Sequence, residues 1–340
     1  MVMGVEERFK LVKRNTEEII GEDELKALLK KKKKPIVYWG TAPTGRPHVG
    51  YFLPALKIAD LLKAGFHVII LLADIHAALD NTPWKVLEKR YDYYAKVIPL
   101  MIKAIGVDTK NLEFIKGSDF QLKPEYMFEI LQLSSFISVH DAKKAAAEIV
   151  KMGDNPKLSG LLYPLMQVLD EQYLQVDAQL GGTDQRKIFV LARENLPKLN
   201  YDQRVEIMNP LIPGLIGKKM SASDAKSKID LLDDAKTVKR KVNSADCVAG
   251  DPDNGIMSFL NYVIMTIKKD ANKKFMIKRD KKYGGDLKYS DYKAIEKDFV
   301  AKKLHPLDLK NAVADEINDL LKVIQKQNKI LIKLSKAAYN

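Results

Sequence analysis

Along this chain, short apolar runs rich in β-branched residues alternate with longer stretches whose apolar positions recur at helical spacing. Ile36–Trp39, Val68–Ala73, Leu112–Ile115, Leu174–Ala178 and Val205–Met208 each read as a buried strand. Between the first of these, Val49–Ala64, stopped by Gly65, and Trp84–Ile105 read as helices. Such alternation predicts a doubly wound α/β domain, a parallel sheet with helices on both faces. Ligands of these sheets bind beyond the carboxyl ends of the strands, so chemistry is expected in the loops after Trp39, Ala73 and Ala178. Residues 1–34 are polar and helix-prone, ending in the run Lys30–Lys34 before Pro35. Residues 121–160 lack strand signals and read as a helical insertion. After about residue 230 the texture changes to Lys-rich amphipathic helices, so the expected division is a catalytic α/β domain over 1–230 and an all-α domain over 231–340.

Composition narrows the class. With 340 residues and 46% hydrophobic content, the chain can bury a core large enough for two domains. The single cysteine, Cys247, excludes an internal disulfide and a thiolate-held structural zinc, and points to a reducing compartment. No uncharged apolar run approaches the ~18 residues a membrane span needs, and the polar start does not read as a signal peptide. The expectation is a soluble, cytoplasmic protein with no membrane partner. The net charge of +13 allows a polyanionic partner. The Lys30–Lys34 run has no interleaved aromatic residue and reads as a solvated helix end, with an RNA-phosphate contact the lesser alternative.

Several motifs are absent. Gly214–Lys219 imitates a phosphate loop but has Ile212 and Lys219 where that motif needs glycine and Ser or Thr. There is no GxGxxG after a strand, no HExxH helix and no GxSxG elbow, so dehydrogenases, zinc proteases and α/β-hydrolases lack support. Two features remain. Gly40-Thr41-Ala42-Pro43-Thr44-Gly45-Arg46-Pro47-His48-Val49-Gly50-Tyr51 follows the first strand, and its glycines permit close backbone approach. His48 falls at the first turn of the next helix, where free N–H groups favour an anion; the alternative is an ordinary turn with a structural histidine. Lys218-Lys219-Met220-Ser221-Ala222-Ser223 lies in a loop before the helical region. It can clamp phosphates and neutralise charge on a leaving pyrophosphate, or be a solvated basic linker.

A helix running on from Pro164, which suits a first-turn position, puts Gln167 and Asp170 on one face with Tyr163 at its entrance. A substrate could meet all three. Periodicity alone favours another arrangement, in which Met166, Leu169, Tyr173 and Leu174 form the buried stripe while Gln167, Asp170 and Glu171 face water.

Pro43–Tyr51 and Lys219–Ser223 resemble the HIGH and KMSKS signatures of class I aminoacyl-tRNA synthetases. The stretch from Leu161-Leu162-Tyr163-Pro164 through Asp184-Gln185-Arg186-Lys187 is similar to tyrosyl-tRNA synthetases of the archaeal and eukaryotic type. The resemblance runs from Ile36 to about Val313, with two departures: Tyr51 stands for the second His of HIGH, and Ala222 for the second Lys of KMSKS. It implies a Rossmann-like catalytic domain followed by an anticodon-binding domain, and a two-step reaction. Tyrosine is activated by ATP, with Mg2+ carried on the nucleotide and no metal held by the protein, and is then esterified to tRNA(Tyr). The resemblance implies catalytic roles for His48 and Lys219. It places Tyr38, Tyr163, Gln167, Asp170 and Gln185 on L-tyrosine, and Gly40, His48, Gly50, Gly182, Asp184, Lys219, Met220 and Ser221 on ATP.

By the same resemblance, Tyr163, Gln167 and Gln185 hold the substrate ammonium group, Tyr38 and Asp170 bond its phenol, and Gly182 and Asp184 hold the ribose. Phenylalanine would leave the phenol's partners unpaired. Arg186 matches a reader of the first acceptor-stem base pair, for which an Arg fork on guanine is the expected chemistry; otherwise it is an exposed helical charge. Tyr283, His305 and Asp308 fall in segments that resemble the family's anticodon-binding ones, with Tyr283 stacking on a base and Asp308 accepting from guanine. Without that match they read as a turn aromatic and a helix entry. A homodimer joined through the insertion is also implied. A tryptophanyl-tRNA synthetase, and a catalytically silent synthetase-like RNA-binding protein, are the competing assignments; Tyr38 with Asp170 favours tyrosine, and the retained His48 and Lys219 favour activity.

Overall fold

The computed structural model describes residues 3–150, 153, 155–214 and 228–339. Its centre is a six-stranded sheet of β1 (Glu18–Ile20), β2 (Ile36–Thr41), β3 (His67–Leu72), β4 (Leu112–Lys116), β5 (Ala178–Gly182) and β6 (Val205–Asn209), in the spatial order β1-β6-β5-β2-β3-β4. All neighbours are parallel except β1, which adds antiparallel to the β6 edge. The helices of this part are α1 (Val5–Lys13), α2 (Glu22–Lys31), α3 (Phe52–Lys63), α4 (Asp74–Leu79), α5 (Leu87–Ala104), α6 (Ser118–Gln121), α7 (Pro124–Ser134), α8 (Val139–Ala146), α9 (Leu158–Tyr173) and α10 (Arg186–Asn195).

Period-two alternation along the buried strands divides the interior. Val37, Val68, Ile70 and Leu72 face a core shared with α1–α3 and α5, whereas Tyr38, Ile69, Leu71 and Ala73 face a second core built with α4 and α6–α10. The sheet is thus covered on both faces, as its continuous apolar strands require. The first core continues without a break into the C-terminal region, through Ile256, Leu260, Phe299, Val313 and Leu331. That region contains α11 (Ala235–Asn243), α12 (Gly255–Phe259), a π-helical turn over Leu260–Met265, α13 (Thr266–Asp270), α14 (Tyr292–Val300), α15 (Pro306–Gln325) and α16 (Asn328–Tyr339). It also holds one small antiparallel ribbon, β7 (Phe275–Ile277) with β8 (Leu287–Tyr289), which the helical texture of the sequence hides.

Three local expectations change. The strand expected at 174–178 begins only at Ala178, because α9 runs to Tyr173 and Gln175 turns the chain at φ 52°. The three-residue β1 is too short to show a period within the polar N-terminal stretch. Pro164 does not open a helix but sits inside α9, which starts at Leu158. The glycines closing β5 are strand residues in close contact: a Cβ at Gly181 would come within 2.6 Å of the Phe189 ring and 2.9 Å of Gln185 Cγ. At Gly40 the nearest atom is an ordinary 3.5 Å away, on Tyr38. Gly181→Ala is therefore expected to lower unfolding free energy by about 1–3 kcal/mol through overpacking, with Gly40→Ala nearly neutral. Chemical denaturation of both variants checks this; equal stabilities would remove the close-packing account of β5.

Candidate active site

Strand β2 lies between β3 and β5, so the chain crosses over it, and the loops leaving the carboxyl ends of β2 and β5 part on opposite sides. The cleft between them has a volume of about 720 Å³. Its walls include Tyr38, Gly40, His48, Gly50, Tyr163, Gln167, Asp170, Gly182, Asp184 and Gln185, every residue expected to meet tyrosine or ATP apart from Lys219, Met220 and Ser221. Those three lie outside the described residues. Arg186, Tyr283, His305 and Asp308 do not line the cleft.

At one end the site is closed around Asp170. This residue and Glu171 are 1% and 0% exposed, so the arrangement in which they face water is overturned. Tertiary packing decides this: α6 and α7 cover Asp170 from the side that also carries Met166 and Tyr173, while Glu171 turns toward Glu206 of β6. Gln121 Nε2 and Tyr126 Oη both donate to Asp170 Oδ1, at 2.8 and 2.9 Å. The other oxygen, Oδ2, is buried with no hydrogen-bond partner among the described residues and lies 3.8 Å from His76 Nε2. Burial lifts the Asp170 carboxyl to about 7, against the opposing pull of the Gln121 and Tyr126 bonds. Burial also lowers His76 to about 4, so its ring, edge-on to Tyr163 at 4.6 Å, is neutral at pH 7. Tyr38, pushed up by burial and the nearby carboxylates, keeps its proton and donates to the Gln167 carbonyl at 3.4 Å. Gln167 Nε2 in turn donates to Gln185 Oε1 at 3.1 Å. His76, Gln121 and Tyr126 escape sequence reasoning because each looks like a core or helix residue, and only the fold brings them to Asp170.

At the other end His48 caps the short turn Val49–Tyr51. Its Nδ1 accepts from Gly50 N–H at 3.2 Å, which leaves the ring proton on Nε2. Burial drops its pKa to about 3, so it is a neutral donor, not a cation. The edge-on Tyr51 ring, 5.3 Å away, stands between His48 and Tyr94. Across the cleft a Cβ at Gly182 would meet Asp184 Oδ1 at 2.6 Å, so glycine there lets this carboxylate lie against the end of β5.

Outside the cleft, Arg186 starts α10 with its guanidinium forked onto Glu18 of β1, at 2.7 and 3.0 Å. Tyr283, 64% exposed, sits on a turn followed by Gly284 and Gly285 at positive φ. His305 caps α15 through Nδ1, and Asp308 lies in that helix's first turn. Arg279 draws these segments together, donating to the carbonyls of Gly285 at 3.0 Å and Lys303 at 3.5 Å.

The doubly wound sheet thus carries at its crossover a cleft with a turn-capping histidine on one wall and a buried carboxylate at the end. The model of the class I tRNA synthetases (W and Y) matches residues 30–322, and the chain belongs to that family. The tyrosine–tRNA ligase, cytoplasmic, of Danio rerio is 51% identical over 99% of this chain, which spans 64% of that relative's length. The Saccharomyces cerevisiae protein of the same name is 49% identical over 94% of this chain and 84% of its own. The tyrosyl-tRNA synthetase of Archaeoglobus fulgidus, solved with L-tyrosine, superposes with a TM-score of 0.88 at 38% identity, covering 95% of this chain and 99% of that one.

Behind the site, Glu171 faces Glu206 of β6. Neither carboxyl has an N–H or O–H donor from another residue among the described residues, and a proton shared between them supplies one hydrogen bond to the pair. Burial raises both groups, Glu171 to about 8, with Arg204 opposing. A folded-state value above the unfolded one means that stability is complete below the ordinary carboxyl range and is lost as pH rises through the folded value. The ligand-free protein is expected to lose stability between about pH 5 and pH 8, and Glu206→Gln to flatten that slope. Thermal melts across the range check this; parallel slopes for the two proteins would place the titration elsewhere.

Proposed function

We propose that the protein is a tyrosine–tRNA ligase, activating L-tyrosine with ATP and transferring it to the 3′ end of tRNA(Tyr). One observation carries this reading: a buried carboxylate oxygen, Asp170 Oδ2, with no donor among the described residues, beside Tyr38 in a cleft that continues to His48 and Asp184. The phenolic O–H of tyrosine supplies the missing donor. Phenylalanine would leave the buried acceptor bare, a form of discrimination for which tyrosine-specific synthetases are themselves the standard illustration. Accepting that hydrogen bond also favours the ionised state of Asp170, which burial opposes. Tyr163, Gln167 and Gln185 are placed for the ammonium group, with Gly182 and Asp184 for the ribose. The shared name of the relatives supports the same assignment.

In the first step a carboxylate oxygen of tyrosine attacks the α-phosphorus of ATP, and the bond to pyrophosphate breaks. In the second, a ribose hydroxyl of the terminal tRNA nucleotide attacks the tyrosyl carbonyl and AMP leaves. No protein nucleophile is needed, so the work is positioning and charge stabilisation. Neutral His48 contributes an Nε2–H donor without the burial penalty of a cation. Lys219, with Met220 and Ser221 beside it, brings a cation to the departing phosphates. Mg2+ would be carried by the triphosphate and would offset part of its charge; among the described residues no group of three or more His, Cys, Asp or Glu side chains could hold a metal.

Residues 1–230 are assigned to activation and 231–340 to the anticodon, with Tyr283 on a turn and His305 and Asp308 at the start of α15. Arg186 reaches the acceptor stem by exchanging Glu18 for a guanine edge. The outer face of α7 exposes Met127, Phe128 and Leu131, with Leu122 nearby, an unpartnered apolar surface suited to a second copy in a homodimer. The reaction belongs in the cytoplasm, where the named relatives are placed.

ATP–pyrophosphate exchange with each amino acid tests the reading. Asp170→Ala is expected to reduce kcat/KM for tyrosine about ten- to hundredfold, the effect of losing a hydrogen bond to a charged group; unchanged kinetics, or exchange driven by tryptophan instead, would overturn the assignment. Asp308→Ala is expected to slow tRNA charging while exchange stays as in the wild type. An equal loss in both assays would count against an anticodon role.

A further inference from the structure

The loop between β2 and the His48 turn is held from outside the motif that it belongs to. Three successive carbonyls are engaged. Arg90 of α5 donates from Nη1 to the Pro43 oxygen at 3.2 Å and the Thr44 oxygen at 2.6 Å. The Gly45 oxygen accepts from two phenols, Tyr94 of α5 at 2.6 Å and Tyr339 of α16 at 3.0 Å. Thr44 N–H turns back onto the Ala42 carbonyl at 2.8 Å, which completes a tightly determined turn. The last turn of α16 is itself held by Arg90, whose Nε donates to the Ala338 carbonyl at 3.3 Å and whose guanidinium lies 4.8 Å from the centre of the Tyr339 ring. Since the Tyr94 proton goes to Gly45, Tyr51 is the donor in the 3.3 Å Tyr51–Tyr94 contact. Tyr51 therefore belongs to a chain of hydroxyls that ends on the loop.

We propose that Tyr339 and Arg90 are positioning residues of the nucleotide loop, so that the final helix of the C-terminal region completes the ATP site built at residues 42–50. The physical reason is electrostatic. Loop carbonyls free to turn toward the cleft would present negative dipole ends to a triphosphate. Here both acceptor positions of the Gly45 oxygen are filled, and the two carbonyls before it share one guanidinium. A loop fixed in this way meets the phosphates without first having to be ordered. Tyr94 and Tyr339 have their ionisation pushed upward by burial, so both remain donors throughout the working range of pH. This assignment rests on reading the cleft as an ATP site.

Tyr339→Phe keeps the ring on Arg90 and removes only the hydroxyl; Arg90→Lys keeps the charge but not the fork. MgATP affinity is measured by calorimetry without amino acid, alongside KM for ATP and for tyrosine in pyrophosphate exchange. Tyr339→Phe is expected to weaken ATP about two- to tenfold, the range for one neutral hydrogen bond, and Arg90→Lys further. In both, KM for tyrosine and the melting temperature should stay near wild type. Unchanged ATP affinity in folded variants would overturn the proposal. Parallel rises in both KM values with a lowered melting temperature would do the same, by reducing the contact to general packing. A wild-type protein that binds no MgATP would instead reject the underlying reading of the cleft.

Discussion

The pairing of β2 with β5 is the constraint on which the rest of the molecule depends. β3 and β4 add to one side of β2, and the chain must then return across the sheet to lay β5 on the other. α3, which follows β2, packs into one core, while α10, which follows β5, packs into the other. Consecutive loops are thereby forced apart at one end of two adjacent strands, and a cleft opens that no side chain of the sheet can fill. Gly40 and His48 fall on one wall, Gly182, Asp184 and Gln185 on the other. The close approach of Gly181 to Phe189 lets α10 start immediately beyond the strand, so Gln185 and Gln167 can meet.

Burial then sets the charge states within that cleft. Both histidines are neutral for the same reason, loss of solvent, and each offers a directional hydrogen bond. Asp170 is held near the boundary between its two forms, with one oxygen saturated by donors from α6 and α7. The helical insertion therefore contributes to the site as well as to the surface. Tyr126 on the inner side of α7 fixes the carboxylate, while Phe128 and Leu131 on its outer side remain exposed.

The C-terminal region is seated on the same framework. Its apolar core is continuous with that of α3 and α5, and Arg14, just beyond α1, pairs with Asp60 of α3 and with Asp270 of α13. Lys63 joins Asp270 from the next turn of α3, at 2.6 Å. Since α3 follows directly on the His48 turn, the region that carries Tyr283 and Asp308 shares a rigid element with the nucleotide loop, as well as the carbonyl contacts made by α16.

Much of this was legible in the order of residues. Four of the five expected strands lie within a residue or two of their places, because buried parallel strands are largely apolar and such runs stand out, although β4, at the sheet edge, is only half-buried. The cleft residues of β2, α9 and the 182–185 turn were expected only through the resemblance to tyrosyl-tRNA synthetases, since periodicity by itself turned Gln167 and Asp170 to water. The fate of α9 was not legible. Periodicity did not show that the apolar stripe of α9 carries Asp170 within it, where α6 and α7 cover it, or that Glu171 turns toward Glu206 of β6. The two-stranded ribbon and β1 were hidden for a related reason, since three residues cannot express a period. Gln121, Tyr126, Arg90 and Tyr339 lie between about 40 and 300 residues from the groups that they hold. The sequence by itself determined which residues are able to do chemistry and where the strands end. Tertiary structure alone decided which acceptor was left without a donor and which carbonyls were held, because both depend on neighbours brought together by the winding of the sheet.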